Sequence, residues 1–338
     1  MNLVVRSNGS KTSLNEAVAL DLLQAAGLAS EDAIAVRFSV NGQEPVLRLV
    51  TELPDDLWMD QNLDSDGALY KAESTGDYSY HGTDPDSYDE IFDQEAGEAN
   101  ADLTPLIEFL DFINNSDDAT FAAGLPERLD VDSFATYLAM QDLLENFDDI
   151  DGPGNNSYLF YDAHTGMFTV IPWDYNLALN GMGGGGPRMI NGPNGGQAPG
   201  GAIPAPGGAA PGPNRVWPAP DGATQAPYGA TRTYVIGGAG PYWNVQQGDG
   251  AGGGPGTFIK GGPGGNILSK RFLANADFKK LYEQQLTELK ASLYTSGVAS
   301  DILAEWVALL ETQASDLVGK STVDGEAATI AAVFDKAK

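Results

Sequence analysis

The sequence predicts an α+β fold, mainly helical in its later part and interrupted by a long low-complexity insertion. Two segments alternate apolar and polar residues around a tight turn, a pattern typical of β-hairpins. Several others repeat apolar residues at helical spacing. Residues 181–265 hold 28 of the 42 glycines and 13 of the 20 prolines. Because such a composition cannot build a packed core unaided, the core must come from the flanking residues.

The N-terminal residues predict a helix followed by a hairpin. Ser13–Glu16 (SLNE) has the spacing of a capping box, and apolar residues continue on one helical face as far as Gly27. Apolar residues then alternate from Ile34 to Val40, and the Asn41-Gly42 pair separates them from Val46–Val50. An Asn-Gly pair between alternating apolar segments indicates a two-stranded hairpin.

Four segments follow from the remaining patterns. Residues 1–75 form an N-terminal α/β segment, although 53–75 and the following acidic residues to 100 are expected to be mostly loop with short helices. Residues 76–180 form a core in which Thr104-Pro105 and Asp132 open two helices, followed by an acidic loop and a second hairpin. Residues 181–265 are the Gly/Pro-rich insertion, and residues 266–338 supply C-terminal helices.

Composition excludes several classes of function. The formal charge is −29 and the pI about 4.1, so nucleic acid and anionic membranes are not expected as partners. The absence of cysteine excludes disulfides and thiolate metal sites, and two histidines are too few for a zinc site. No apolar run reaches the roughly 18 residues of a membrane span, so membrane insertion is not expected. The first residues do not resemble a signal peptide, so any signal segment is not present in this chain.

The second hairpin brings acidic and amide side chains to its open end. Its arms are Ser157–Tyr161 and Met167–Ile171, and neighbouring strands lie roughly 5 Å apart. The residues before it, Asp151, Asn155 and Asn156, should therefore lie beside Asp174, which follows it. Carboxylate and amide oxygens suit Mg²⁺ or Mn²⁺ and, through the cation, the phosphates of a nucleotide such as ATP.

The spacing of these residues matches phosphotransfer chemistry. Asp151 precedes Asn156 by five residues, as in the catalytic loop of protein kinases, where the aspartate accepts the substrate proton and the asparagine holds a metal. A second aspartate after a short hairpin holds the bridging metal in that scheme, and Asp174 occupies this position. Asp151 is thus a candidate base, and Asn156 and Asp174 are candidate metal ligands.

This segment resembles the signature of the CotH kinase family, the spore-coat-protein-H-like atypical kinases, in which an N-x-D motif, a hairpin and PWD follow one another. The resemblance extends to Arg6–Gly27, Val36–Glu52, Ala68–Lys71 and Ile267–Leu289. It implies an atypical protein-kinase-like fold with a reduced N-lobe and a mainly helical C-lobe. It also implies ATP-dependent phosphorylation of Ser/Thr in a protein substrate, a coat or surface protein. The implied location is extracellular, on the cell surface or in the spore coat of a bacterium.

The chain departs from the family pattern at three places. The family domain normally opens with a β-rich segment that would precede this chain. Asn155 stands where many members have histidine, and Asn176 stands where many have a second aspartate, which predicts one bound ion rather than two. Asp148 aligns best with the aspartate of N-x-D, whereas Asp151 has the kinase spacing. Asp151 is placed ahead as the base and Asp148 is its rival.

Two further readings concern Lys71 and the loop before it. Lys71 could contact a phosphate or pair with Glu52, as the Lys–Glu ion pair of kinases does, so both are candidate cofactor-binding residues. Asn62–Glu73 also fits an EF-hand loop at five positions, which makes Ca²⁺ a possible ligand. Two alternatives to a kinase therefore remain: a non-catalytic, pseudokinase-like coat or surface scaffold, and a secreted Ca²⁺-binding interaction module.

Overall fold

A computed structural model describes residues 2–63, 67–73, 77–97, 102–146, 148–150, 156–179 and 266–338. These residues belong to one unit of the chain. The predicted insertion at 181–265 lies outside the described residues, as do Asp151 and Asn155. The described part combines two antiparallel sheets with nine α-helices, so the predicted α+β class is confirmed.

The first sheet contains the predicted N-terminal hairpin. Strands β1 (Leu3–Val5), β2 (Ala33–Phe38) and β3 (Val46–Glu52) are antiparallel in the order β1-β3-β2. Asn41 and Gly42 have φ angles of 52° and 72°, as the left-handed turn between β2 and β3 requires. The hairpin prediction is therefore confirmed, including the residue types of its turn.

Helix α1 (Leu14–Ala25) joins β1 to β2 and is buried along most of its length. The predicted helix is confirmed but its predicted capping box is wrong. Ser13 has φ 56° and its side chain makes no cap hydrogen bond. Asn15 and Glu16 are 3% and 1% exposed, so the helix directs these polar side chains inward, where other segments of the chain meet them.

The second sheet has the order β5-β4-β6-β7. Strands β6 (Ser157–Asp162) and β7 (Met167–Pro172) form the predicted second hairpin. Strands β4 (Gly67–Ala72) and β5 (Phe92–Ala96) were not predicted. Both are short and lie in an acidic segment without clear alternation, and β4 is stabilised by pairing with β6, about 90 positions along the chain. The sheet takes strands from both sides of the boundary expected near residue 75.

Helices pack against the second sheet and supply many of the buried core residues. The remaining helices are α2 (Asp56–Asn62), α3 (Thr104–Asn115), α4 (Asp118–Gly124), α5 (Val131–Leu143), α6 (Ile267–Ala274), α7 (Ala276–Leu289), α8 (Val298–Gln313) and α9 (Lys320–Ala337). Helix α5 packs against β7 on one side and α7 on another. Its cap is Asp130, which accepts from the Ser133 backbone N–H at 3.0 Å, rather than the predicted Asp132.

None of the described helices, taken singly, is long and apolar enough to cross a membrane. One bent pair, Ala276–Thr295 with Val298–Gln313, meets the length and composition criterion when the two are taken together.

Candidate functional site

The open end of the β6–β7 hairpin brings Asp148, Asn156 and Asp174 together. Ser157 pairs with Pro172, so Asn156 and Trp173 flank the end of the ladder and Asp174 follows. The Asn156 Nδ2 donates to the Asp148 backbone carbonyl at 2.8 Å and to its Oδ2 at 3.0 Å. Asn156 therefore keeps its Oδ1 as the atom that it can offer to a cation.

The acidic loop that carries Asp148 is anchored on both sides. At its start, the Asn146 Nδ2 donates to Gln141 Oε1 of α5 at 2.9 Å. At its other end, the Ile150 carbonyl accepts from the Asn266 backbone N–H at 3.0 Å, directly before α6. Asn146 and Asp149 are 3% and 0% exposed. The loop is thus held between two helices, which sets the position of Asp148.

Asp148 lies in an electrostatic environment that favours its protonated form. Burial raises the pKa of its carboxyl, the hydrogen bond from Asn156 lowers it, and the nearby charge of Asp174 raises it again. The net pKa shift is upward. Because the charge of Asp174 acts on Asp148, a divalent cation held by Asp174 would reduce the repulsion between the two carboxylates. The oxygen donors of this group therefore fit a hard cation such as Mg²⁺ or Mn²⁺.

Arg6 connects this end of the hairpin to helix α1. Its Nε lies 2.6 Å from Glu16 Oε1, and its Nη2 forms an ion pair with Asp174 Oδ1. The guanidinium also lies 5.2 Å from the centre of the Trp173 ring. The side chains of Arg6 and Glu16 are 10% and 2% exposed, so one nearly buried cation joins β1, α1 and the hairpin.

The backbone at Asp174 is held in an unusual conformation. Its φ is 59°, in the left-handed region that non-glycine residues rarely adopt. Aspartate tolerates this region better than most residues, although at some energetic cost. Two bonds from buried Asn15 fix the following segment, because its Nδ2 donates to the Asn176 carbonyl at 2.7 Å and the Ala178 carbonyl at 3.2 Å. The conformation therefore aims the Asp174 carboxylate at Arg6.

The structure does not pair Lys71 with Glu52, which was one of the two roles suggested for Lys71. The Lys71 Nζ lies 3.4 Å from Glu73 Oε1. Glu52 instead accepts from the Asp32 backbone N–H at 3.0 Å. The two residues belong to different sheets. The expected ion pair between them is therefore wrong, and at the site Arg6 pairs with Glu16 and Asp174.

Arg6 and Glu16 were not predicted as site residues, although both are charged residues in or near α1. Glu16 was assigned to a capping box because of its distance from Ser13. A charged residue inside an apolar helical pattern, at a position facing the core, was the available signal for a buried ion pair. Its partner could not be identified from local spacing.

A second buried carboxyl, that of Glu31, lies close enough to interact with the charges of Arg6, Glu16 and Asp174. Glu31 is 2% exposed, and among the described residues its Oε1 has no hydrogen-bond partner. Burial raises its pKa to about 8; the charge of Arg6 opposes the rise, and the charges of Glu16 and Asp174 add to it. Burial therefore favours the protonated form of the Glu31 carboxyl in the folded protein.

Glu31→Gln is expected to remove part of the pH dependence of stability. The pKa of the Glu31 carboxyl is higher in the folded than in the unfolded protein. Its contribution to the free energy of unfolding is therefore present at acid pH and is lost as the pH rises from about 4.5 towards 8. A neutral amide avoids this loss, so relative to wild type the variant should gain up to about 3 kcal/mol between pH 5 and pH 8. Urea unfolding at both pH values measures the gain. If Glu31→Gln changed the free energy of unfolding equally at pH 5 and pH 8, the raised pKa of Glu31 would be contradicted.

The EF-hand-like segment has a different structure from a helix–loop–helix. Helix α2 ends at Asn62, and strand β4 begins at Gly67 where an EF-hand loop would continue towards its exit helix. Residues 64–66 lie outside the described part. The ligand atoms of Glu73, Asp93 and Glu95, on and beside β4 and β5, all lie within 4.8 Å of one another, which is a separate place where carboxylates converge.

Comparison with known proteins identifies the family. A model of the family described as CotH kinase protein matches residues 6–323. The chain belongs to the CotH kinase family. This CotH-family chain is also similar to the inner spore coat protein H of Bacillus subtilis (strain 168), with 26% identity over 164 residues. That alignment covers 47% of the chain and 44% of the relative.

Proposed function

We propose that this member of the CotH family is an atypical protein kinase that transfers the γ-phosphoryl group of ATP to Ser/Thr of a protein, with Mg²⁺ or Mn²⁺. The observation that carries the proposal is the group at the open end of the hairpin. Asp148 is bonded to Asn156, Asp174 acts electrostatically on Asp148, and Arg6 ties Asp174 to Glu16. Kinases need this set of a base, an amide, a metal-binding carboxylate and a cation–glutamate pair.

The order of elements around Arg6 and Glu16 supports the same function. In protein kinases a lysine on a strand pairs with a glutamate on the following helix, and this pair must be in place together with the metal-binding aspartate. Here Arg6 directly follows β1, Glu16 lies in the first turn of α1, and Asp174 contacts Arg6. We assign to Arg6 and Glu16 the role that the sequence analysis gave to Lys71 and Glu52.

Each residue has a defined task in the proposed reaction. Asn156 Oδ1 and the Asp174 carboxylate would hold the cation, which when bound neutralises phosphate charge. Arg6 keeps Asp174 in place. Asp148 accepts the proton of the substrate hydroxyl. At the same time the hydroxyl oxygen bonds to the γ-phosphorus, the bond from that phosphorus to the β-phosphate oxygen breaks, and ADP leaves. Burial raises the pKa of the Asp148 carboxyl, and a base with a raised pKa binds that proton better.

The partner class follows from the relative and from the charge of the chain. The similar Bacillus subtilis protein is an inner spore coat protein, and we propose a coat or surface protein of a bacterium as the substrate. The net charge of −29 disfavours nucleic acid as a partner. A positively charged acceptor segment would be attracted by the same field.

Asp148→Asn and Asp151→Asn are expected to separate the two candidate bases. Loss of the base should lower turnover by about 100-fold while Mn²⁺-dependent ATP affinity stays close to that of wild type, because the base contributes to the transition state more than to binding. We assign the base to Asp148 rather than Asp151 because its bond to Asn156 and its raised pKa support this role. We therefore expect this result for Asp148→Asn and near-wild-type turnover for Asp151→Asn. Phosphoryl transfer to a general acceptor protein and calorimetric ATP titration measure the two quantities.

The same titration tests the proposal as a whole. Wild-type protein should bind ATP with Mn²⁺ or Mg²⁺ and not with a chelator in place of the metal. Absence of metal-dependent binding would contradict the kinase function and favour the non-catalytic scaffold. Binding of Ca²⁺ in preference to Mg²⁺, without ATP, would favour the Ca²⁺-binding module.

A further inference from the structure

The loop between β1 and α1, residues 8–12, is held by a carboxylate from the far end of the chain. Glu326 of α9 accepts from the Lys11 backbone N–H at 3.0 Å through Oε1. Its Oε2 accepts from the Ser10 Oγ at 2.7 Å, from the Thr12 backbone N–H at 3.2 Å, and from the Thr12 hydroxyl. One carboxylate therefore satisfies four donors of this loop.

The other side of the loop contacts the residues of the site. The Asn8 Nδ2 donates to Glu16 Oε2 and to Asn15 Oδ1, both at 3.1 Å. The Asn8 Oδ1 accepts from the Ser10 backbone N–H at 2.9 Å. A continuous set of hydrogen bonds thus runs from Glu326 through Ser10 and Asn8 to Glu16, which binds Arg6.

The loop also determines how α1 begins. The Ser13 side chain does not cap the helix. Instead, the Ser13 backbone N–H donates to Ser10 Oγ at 2.8 Å, and the Leu14 N–H donates to Thr12 Oγ1 at 3.1 Å. Both accepting hydroxyls are themselves bonded to Glu326. The start of α1, in the same turn as Glu16, therefore depends on a side chain of α9.

Contacts farther along α1 hold the same two parts together. Helix α1 packs against α8 and α9. The Trp306 Nε1 of α8 donates to Asp21 Oδ2 at 2.7 Å. Burial raises the pKa of the Asp21 carboxyl and the bond from Trp306 lowers it. The C-terminal helices thus contact α1 at its start and near its middle.

From this geometry we infer that Glu326 is a positioning residue: α9 acts as an internal clamp that sets α1, and through Glu16 aligns Arg6 and Asp174. The inference rests on the proposed kinase function, in which the Arg6–Glu16 pair must be in place. In kinases, the position of the helix whose glutamate pairs with the cation is the controlled element, and here that helix is α1 with Glu16. In this chain the control is supplied by its own C-terminal helix.

The test uses Glu326→Ala and Glu326→Gln in the full chain. Glutamine keeps the length of the side chain but loses its charge and one acceptor, so it covers the case in which the alanine variant folds poorly. Both variants should bind Mn²⁺-ATP about five- to tenfold more weakly than wild type, at the lower end of the effects typical of coupled sites. Asp324→Asn is the matched control, because Asp324 is exposed on the same helix and pairs with Lys320 at 3.1 Å. It should bind like wild type.

A double-mutant cycle with Glu16→Gln distinguishes positioning from simple stabilisation. If Glu326 acts through Glu16, the double variant should bind ATP about as weakly as Glu16→Gln alone. Additive losses, or unchanged affinity in both Glu326 variants, would overturn the clamp. Wild type without ATP binding would overturn the kinase proposal instead. The clamp is then tested by hydrogen exchange, and unchanged exchange at the start of α1 in Glu326→Ala would overturn it.

Discussion

Arg6→Met is expected to lower the free energy of unfolding by about 3–5 kcal/mol at pH 7, the usual cost of removing one partner from a buried ion pair. Arg6 is the shared counterion of Glu16 and Asp174. Glu16 is 1% exposed, so it would be left as an uncompensated buried charge. The Asp174 side chain is 27% exposed and is partly screened by water, so most of the loss comes from Glu16.

The loss of stability in Arg6→Met should depend on pH in a defined direction. Burial already raises the pKa of Glu16, and Arg6 opposes that rise. Without Arg6 the folded pKa moves further above the unfolded value. The free energy of unfolding of the variant therefore falls as the pH rises from the unfolded to the folded pKa of Glu16. Below the unfolded pKa this loss disappears. Urea unfolding at pH 5 and pH 8 measures this difference.

Arg37→Met is the control for the loss of a positive charge. Arg37 pairs with Asp316 on the surface, where both side chains are more than half exposed, and exposed pairs contribute little. It should unfold like wild type at both pH values. If Arg6→Met behaved in the same way, the Arg6–Glu16–Asp174 group would not contribute to the stability of the fold.

Asp174→Asn is expected to reduce metal-dependent phosphoryl transfer by about 100-fold or more, on the scale of losing one preorganised charge-stabilising group. Asparagine tolerates the left-handed conformation of Asp174 as well as aspartate does, so the backbone should be retained. The variant keeps the Arg6–Glu16 ion pair but loses the negative charge that would bind the cation. Calorimetry should show that ATP affinity no longer depends on Mn²⁺.

Asp60→Asn removes the same charge from an exposed position on α2 and should leave both transfer and binding unchanged. Thermal unfolding of Asp174→Asn separates loss of function from loss of fold. A folded Asp174→Asn variant that retained metal-dependent transfer would exclude the open end of the hairpin as the cation site.

Both hairpins were predictable because their information is local. The Asn41-Gly42 pair selects a left-handed turn by itself, and alternating apolar residues on each side define the strands. The same holds for β6 and β7, and therefore for the neighbourhood of Asn156 and Asp174, since the ends of an antiparallel pair must meet. Strands β4 and β5 were missed because the pairing that stabilises them comes from a distant strand.

The α+β class, the two hairpins and the acidic and amide residues at one hairpin end could all be predicted from the order of residues. Which charges pair could be seen only in the folded chain. Arg6 and Asp174 are 168 positions apart, and Ser10 and Glu326 are 316 apart. The periodicity of apolar residues and the residue types of turns reflect interactions between near neighbours, so both are visible in a sequence. The partner of a buried charge depends on which surfaces meet when the chain folds, and local spacing carries no information about that.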